Sequence, residues 1–269
     1  HGIGRRQRQM CIRDRDITIK TPELIDRFSI ELKGKQIIKH SLRLENAGQI
    51  SELPGFKEGE WWVQDISASI PIHLFNDVKG KSALDLCAAP GGKTMQLSAA
   101  GANVTAVDMS KVRAAKLKEN LARTSLNANI VISDLFKIKG FFDIIILDAP
   151  CSATGTVRRH PDLPYVKSQA DLKKLFCLQY SMLEHAVSLM KPTTQLVYCT
   201  CSLFPQEGEH QVRKLLNEKH EIRVEKYLPK ELDFLEKYRT EEGGLRLLPI
   251  HLAETGGIDG FYIVKLVKV

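Results

Sequence analysis

From Gly80 onward, short apolar runs alternate with longer stretches whose apolar residues recur at helical spacing. The pattern predicts strands at 82–86, 103–107, 130–132, 143–147 and 195–199, and helices at 92–100, 111–124 and 169–190. Strands alternating with helices of this length make a parallel sheet covered on both faces. The unbroken run Ile144-Ile145-Ile146-Leu147 suits a strand buried on both sides. Residues 261–267 alternate apolar with polar and fit an edge strand, in the antiparallel sense. A doubly wound α/β fold is expected, and such sheets bind ligands beyond the carboxyl ends of their strands.

Upstream the rhythm differs. Thr21-Pro22-Glu23 marks a helix start, with Thr21 as N-cap and Pro22 at the first helical position. Residues 35–44 read as extended until Leu53-Pro54-Gly55-Phe56 breaks the pattern. The chain thus divides into a small α/β region at 16–75 and a main domain at 76–269. The small region is expected to be the end of a larger RNA-binding-type domain.

The 269 residues carry a net charge of +7, which suggests a polyanionic partner. Of this, +4 comes from residues 1–15, where Arg5, Arg6, Arg8, Arg13 and Arg15 face one acid, Asp14. Met10-Cys11-Ile12-Arg13-Asp14 is also one reading frame of a common sequencing-library adaptor, so residues 1–15 are expected to be an artefact. The alternative for that tail is a disordered basic RNA-binding arm. No apolar run approaches 18 residues and no signal-peptide core is present, so a cytoplasmic protein without membrane contact is expected. The six cysteines include no C-x-x-C pair, so neither disulfides nor a metal site is expected.

The residues after each strand carry the candidate chemistry. The first strand runs into Cys87-Ala88-Ala89-Pro90-Gly91-Gly92-Lys93, whose small residues permit a tight turn and close backbone approach to a ligand. It has neither the dinucleotide nor the P-loop glycine spacing. Asp108 ends the second strand, 23 residues after Asp85, where an acid accepts hydrogen bonds from an adenosine ribose. Asp134 follows the third strand, beside the expected adenine, and Asp148 ends the fourth. Each alone also fits a helix cap or a solvated turn. Together the acids favour a cationic ligand such as the sulfonium of S-adenosylmethionine. Cys151 and Cys201 follow the fourth and fifth strands, on opposite sides of one expected pocket. Cys177 and Cys199, within a helix and a strand, read as small buried hydrophobes.

Leu84–Thr94, Asp148–Ser152, Thr154-Gly155-Thr156, Arg158–Asp162 and Tyr198–Ser202 with Pro205–Glu209 together resemble the RsmB/Nop/Sun family of RNA (cytosine-5) methyltransferases. Trp61–Asp65 and Asp259-Gly260-Phe261-Tyr262 match as well, and the resemblance spans about residues 35–269. It is nearest the bacterial branch that methylates 16S ribosomal RNA, which usually carries an N-terminal NusB-like helical domain absent from this sequence. The resemblance implies a Rossmann-like class I methyltransferase fold with a mostly parallel seven-stranded sheet, S-adenosyl-L-methionine as cofactor, ribosomal RNA as partner, and a monomer.

It also implies roles. Carbon-5 of cytosine is a weak nucleophile until a thiolate adds to carbon-6, and Cys201 is the implied attacker with Cys151 assisting release. Cys201 needs its ordinary pKa of about 8.5 lowered, with Lys93 a candidate helper. Asp148 either holds the cytosine edge or only contacts the cofactor. Arg158, Arg159 and His160 are candidates to grip RNA phosphates, or form a solvated basic loop. A DNA cytosine-5 enzyme would use the Pro-Cys thiol as nucleophile, and the second thiol argues against it. Amino-group chemistry would want an aromatic after Pro150. A non-catalytic RNA-binding factor would not need both thiols and the intact glycine loop, and an inactive gene fragment is the remaining alternative.

Overall fold

The alternation after Gly80 becomes one twisted sheet, fronted by a smaller one. The computed structural model describes residues 14–45, 47–163 and 168–269. In the small sheet, β1 (Asp14–Ile19), β2 (Lys35–Ile38), β3 (Ser41–Glu45) and β4 (Trp61–Val63) lie in the order β2-β3-β1-β4, all antiparallel. Thr21 precedes a 3₁₀ turn at Pro22–Leu24, as its sequence predicts, though its hydroxyl makes no capping bond. Helix α1 (Ile25–Glu31) follows and sets Phe28 against Ile17, Ile19, Leu42, Leu44 and Trp61. Strand β1 begins at Asp14, so the last two residues of the supposed artefact are sheet; residues 1–13 lie outside the described residues.

Helix α2 (Ile66–His73) is capped by Asp65, which accepts from Ser67 N at 2.9 Å. Its Ile66, Ile70 and Ile72 pack with Ala83, Ile144 and Ile146 of the main sheet. Helix α2, within the 16–75 region, thus packs with the core of the main sheet. A buried ion pair lies within the small sheet, where Arg43 Nε meets Asp16 Oδ1 at 2.7 Å, and it reaches outward through Asp16 Oδ2, which accepts from Ile66 N of α2. Arg43 also donates to the carbonyl of Thr255.

The main sheet comprises β5 (Ser82–Leu86), β6 (Asn103–Asp108), β7 (Asn129–Ile132), β8 (Phe142–Asp148), β9 (Met190–Thr200), β10 (Ile222–Val224), β11 (Leu245–Leu247) and β12 (Phe261–Lys268). Helices α3 (Gly92–Ala99), α4 (Lys111–Thr124), α5 (Gln169–Ser188) and α6 (Glu209–Glu218) cover it. The order is β10-β12-β9-β8-β5-β6-β7, with β11 also on β12. Strands β5 to β9 are parallel, and β12 is antiparallel to β9, β10 and β11. The expected seven positions are present, but the outermost is shared end to end by β10 and β11. Strand β12 is consequently internal, not the expected edge. Its polar Lys265 is buried and donates to the carbonyl of Leu74 at 2.8 Å.

Ile144, Ile145, Ile146 and Leu147 have no exposed surface, each worth roughly 1.5–3 kcal/mol of burial. They fix β8 at the centre, where the strand order reverses between β5 and β8. Such a switch point opens a crevice at the carboxyl edge. Among the described residues no helix is long and apolar enough to cross a membrane.

Candidate active site

The loop after β5 is locked before it meets any ligand. Cys87 and Gly91 both take left-handed backbone, at φ 62° and 109°. At Gly91 a Cβ would lie 2.3 Å from Leu117 of α4, so glycine is required twice over. Ala88 N donates to Val107 O and Ala89 N to Asp108 Oδ2, at 2.9 and 3.1 Å. Arg113 reaches back to the Ala89 carbonyl, and Asn120 to that of Pro90. Asp108 is thus a buried brace of the loop, also accepting from Ser110 N at 2.9 Å and pairing with Arg113. Asp134 is exposed and accepts from Phe136 N, capping a short 3₁₀ turn.

Beside the loop lies a cavity of about 870 Å³. Cys87, Ala88, Ala89, Pro90, Gly92 and Lys93 form one wall, and Asp85 and Asp148 its floor. Arg15 and Trp62 of the small sheet, Gln64 and Arg159 are also among its lining. Gly91, Asp108, Asp134, Cys151 and Cys201 do not line it. Arg15, set aside with the tail, does.

Charge is concentrated at the floor. Asp85 is 1% exposed, accepts from Thr94 Oγ1 at 2.5 Å, and keeps Oδ1 without a partner. Burial pushes its carboxyl up to about 7, against the hydrogen bond from Thr94. Lys93 Nζ sits 2.7 Å from Asp148 Oδ2 and over the Phe261 ring. Burial works against the Lys93 ammonium, but Asp148 more than restores it, so the group stays above the ordinary lysine range. The ion-pair partner of Lys93 is therefore Asp148. The thiol of Cys87 is pushed up to about 12 by burial and the surrounding carboxylates.

Adjacent to Asp148, the ends of β8 and β9 bring the two loop thiols together. Cys151 Sγ and Cys201 Sγ are 3.4 Å apart, closer than opposite walls of a pocket. Asp148 pairs with Cys199 across the strands, and Ala149 N donates to Cys199 O at 3.0 Å. The hydrogen bond with Cys201, and then burial, hold the Cys151 thiol well above its usual range. Cys199 is fully buried, as expected for a structural cysteine. Cys177 is exposed, against expectation, because its position on α5 falls on the solvent face.

The basic loop is neither free nor merely solvated. Arg159 Nε donates to buried Asp259 at 2.9 Å. Arg158 reaches the Gly256 carbonyl at 2.5 Å and Asp65 at 3.5 Å. Only His160 of the three is exposed without such an ion pair among the described residues. Burial depresses the Arg159 guanidinium, but Asp259, then Asp65 and the Cys201 sulfur, raise it further. The sequence offered no sign of Asp65 and Asp259 as partners, which lie about 100 positions away, nor of Glu207, which is buried between the thiol loops.

Comparison with known proteins identifies the family. Residues 72–267 match the family model described as 16S rRNA methyltransferase RsmB/F. The ribosomal RNA small subunit methyltransferase B of Erwinia tasmaniensis is 37% identical over 251 residues, 89% of this chain and 55% of the relative. That of Pasteurella multocida is 37% identical over 243 residues, 85% of this chain and 52% of the relative. The chain spans about half the length of these curated relatives. A solved methyltransferase homolog from Pyrococcus horikoshii superposes with a TM-score of 0.77 at 25% identity, covering 98% of this chain and 89% of its own. With a family model matched over most of its length, this chain belongs to the 16S rRNA methyltransferase RsmB/F family.

Proposed function

We propose that the protein is a cytoplasmic enzyme that transfers a methyl group from S-adenosyl-L-methionine to carbon-5 of a cytosine in 16S ribosomal RNA. The observation that carries this is the Cys151–Cys201 pair, 3.4 Å apart just past the ends of β8 and β9, the former strand ending in the cavity-lining Asp148. The cavity's residues fit the donor: a wall of small residues, a floor of two carboxylates, and the orphaned Oδ1 of Asp85 facing a cationic ligand. Cys87, Ala88, Ala89, Pro90, Gly92, Lys93 and Asp148 would hold it, with Gly91 shaping the loop and Asp108 and Asp134 toward its ribose and adenine. When bound, S-adenosyl-L-methionine supplies an electrophilic methyl group.

The chain's own residues do the rest. The Cys201 thiolate adds to carbon-6 of an unstacked cytosine; the Sγ–C6 bond forms and the C5=C6 electron pair moves to carbon-5, which becomes nucleophilic. Asp148, anchored by Lys93, is positioned to accept from the cytosine edge. Once carbon-5 is methylated its proton must leave, the C5=C6 bond re-form and the Sγ–C6 bond break. Cys151 serves both needs, giving its thiol proton to the departing Cys201 sulfur and taking up the proton from carbon-5.

Denaturing gels of the protein with 16S ribosomal RNA and S-adenosyl-L-methionine test this. Cys151→Ala is expected to accumulate an RNA adduct that survives denaturation, and Cys201→Ala to form none. If only Cys201→Ala traps RNA, the thiols exchange roles. No adduct and no methyl transfer from any form would overturn the proposal.

A further inference from the structure

We propose that Glu207 is the positioning residue for the two thiols: its buried carboxylate ties Ser152, directly after Cys151, to Ser202, directly after Cys201, and sets the spacing between them. This rests on the functional reading above. Glu207 has no exposed surface. Its Oε1 accepts from Ser152 N and Gln179 Nε2, both at 2.9 Å. Its Oε2 accepts from Ser152 Oγ at 2.5 Å and from Ser202 Oγ. A carboxylate has about four acceptor sites, and all four are filled.

The grip extends to the other flank of each cysteine. Gln179, from α5, also donates to the carbonyl of Pro150 at 2.8 Å. The main-chain oxygen of Glu207 accepts from Thr200 Oγ1 at 3.2 Å and from Tyr198 Oη at 2.7 Å. Pro150 and Ser152 on one loop, and Thr200 and Ser202 on the other, therefore all answer to one side chain and its immediate partners.

A buried carboxylate whose four donors are all uncharged is costly, and a neutral residue would have filled the space more cheaply. What a neutral residue lacks is two acceptor oxygens that hold both serines at once. Its charge has a second consequence. The Cys151 thiol, already raised by its hydrogen bond to Cys201 and by burial, is raised further by Glu207. Glu207 thereby keeps Cys151 a proton donor while Cys201 reacts.

The test uses the full chain with Glu207→Gln and, separately, Ser152→Ala with Ser202→Ala, which keeps the carboxylate but frees the loops. Dibromobimane, which fluoresces when both its arms are alkylated by nearby thiols, reads the Cys151–Cys201 spacing without RNA or methyl donor; peptide mapping confirms the bridged pair. Both variants are expected to bridge at least tenfold more slowly. In turnover they should lose about 10²-fold, the effect of a misplacement near 1 Å, with a larger share of protein trapped as RNA adduct. A folded Glu207→Gln that bridges and releases like wild type would overturn the proposal, as would a loss of activity matched by the loss of folded protein. If Glu207→Gln does not fold, the serine pair decides by the same criteria. Should wild type neither transfer methyl nor form adduct while bridging still depends on Glu207, the functional reading falls and the positioning role stands.

Discussion

Replacing Gly155 by alanine should separate the two halves of the reaction. Gly155 lies in the turn after Cys151, donating from its N to Cys201 O at 3.0 Å and accepting from Gly260 N at 2.8 Å. A Cβ there would lie 1.9 Å from Gly260 O, 2.6 Å from Gly260 C and 2.9 Å from Cys201 O. All three are backbone atoms, so no side chain can swing aside. Contacts of this kind do not fall below about 3 Å, so the gap must open by about 1 Å. Gly260 leads into β12, which is paired with β9 from Tyr262 to Val267, and Cys201 follows β9 directly. The sheet therefore holds, and the turn carrying Cys151 gives way. Overpacking of this size costs about 1–3 kcal/mol of stability. A thiol displaced by about 1 Å costs about 10²-fold in the step that needs both sulfurs, or about 3 kcal/mol of barrier. Addition by Cys201 alone should be little affected. Single-turnover reactions quenched into denaturant, with adduct formation and decay followed on gels, separate the two. The expected result is near-normal formation with decay slowed toward that of Cys151→Ala. Normal decay, or formation slowed as much as decay in a folded variant, would refute the argument.

Three further perturbations follow from the electrostatics. Asp85 rises from 3.8 unfolded to about 7 folded, so the folded protein binds the extra proton between these values and stability falls as pH rises through that window. The loss between pH 5 and pH 8 is up to about 3 kcal/mol, and Asp85→Asn should abolish it, as urea unfolding at those two pH values would reveal. Arg43→Met leaves Asp16 buried without its ion-pair partner and should cost about 3–5 kcal/mol in thermal or urea unfolding, with much of it recovered when Asp16→Leu is added. Because Arg159 is committed to Asp259, Arg159→Ala should change the salt slope of RNA binding by less than the roughly 0.7–0.9 of one phosphate contact. A full unit of change would restore Arg159 to the phosphate-gripping role.

What was legible in the sequence was what is local. The continuous apolar run at 144–147 announced a central strand, and the small residues after β5 announced a turn built for close approach. Thiols placed just after two strands announced chemistry at the carboxyl edge, since a parallel sheet has one such edge. The errors share one cause. Lys265 made β12 look like an edge, because nothing nearby in the chain shows that the carbonyl of Leu74, 191 positions away, accepts its ammonium inside the protein. Arg158 and Arg159 looked like a basic surface because their carboxylate partners lie on other elements. Cys177 looked structural because its face of α5 is set by what the helix packs against.

Glu207 is the extreme of this. In sequence it stands in Pro205-Gln206-Glu207-Gly208-Glu209, a polar stretch that carries part of the family resemblance but no sign of burial, and only the meeting of β8 and β9 makes it interior. Glu209, two residues on, pairs with Arg246, whose guanidinium also donates to Ser202 O at 2.5 Å. The two acids thus hold one short segment in different ways. Glu209 is neutralised by a cation, so its charge is spent locally. Glu207 meets only neutral donors, so its field reaches the Cys151 thiol, which it raises. A site that needs one of two sulfurs 3.4 Å apart to stay protonated gains from an anion that raises that thiol. On this argument Glu207→Gln should do more than loosen the loops. It should lower the pH at which Cys151 becomes alkylatable by iodoacetamide, whereas loosening alone would expose both thiols without that shift.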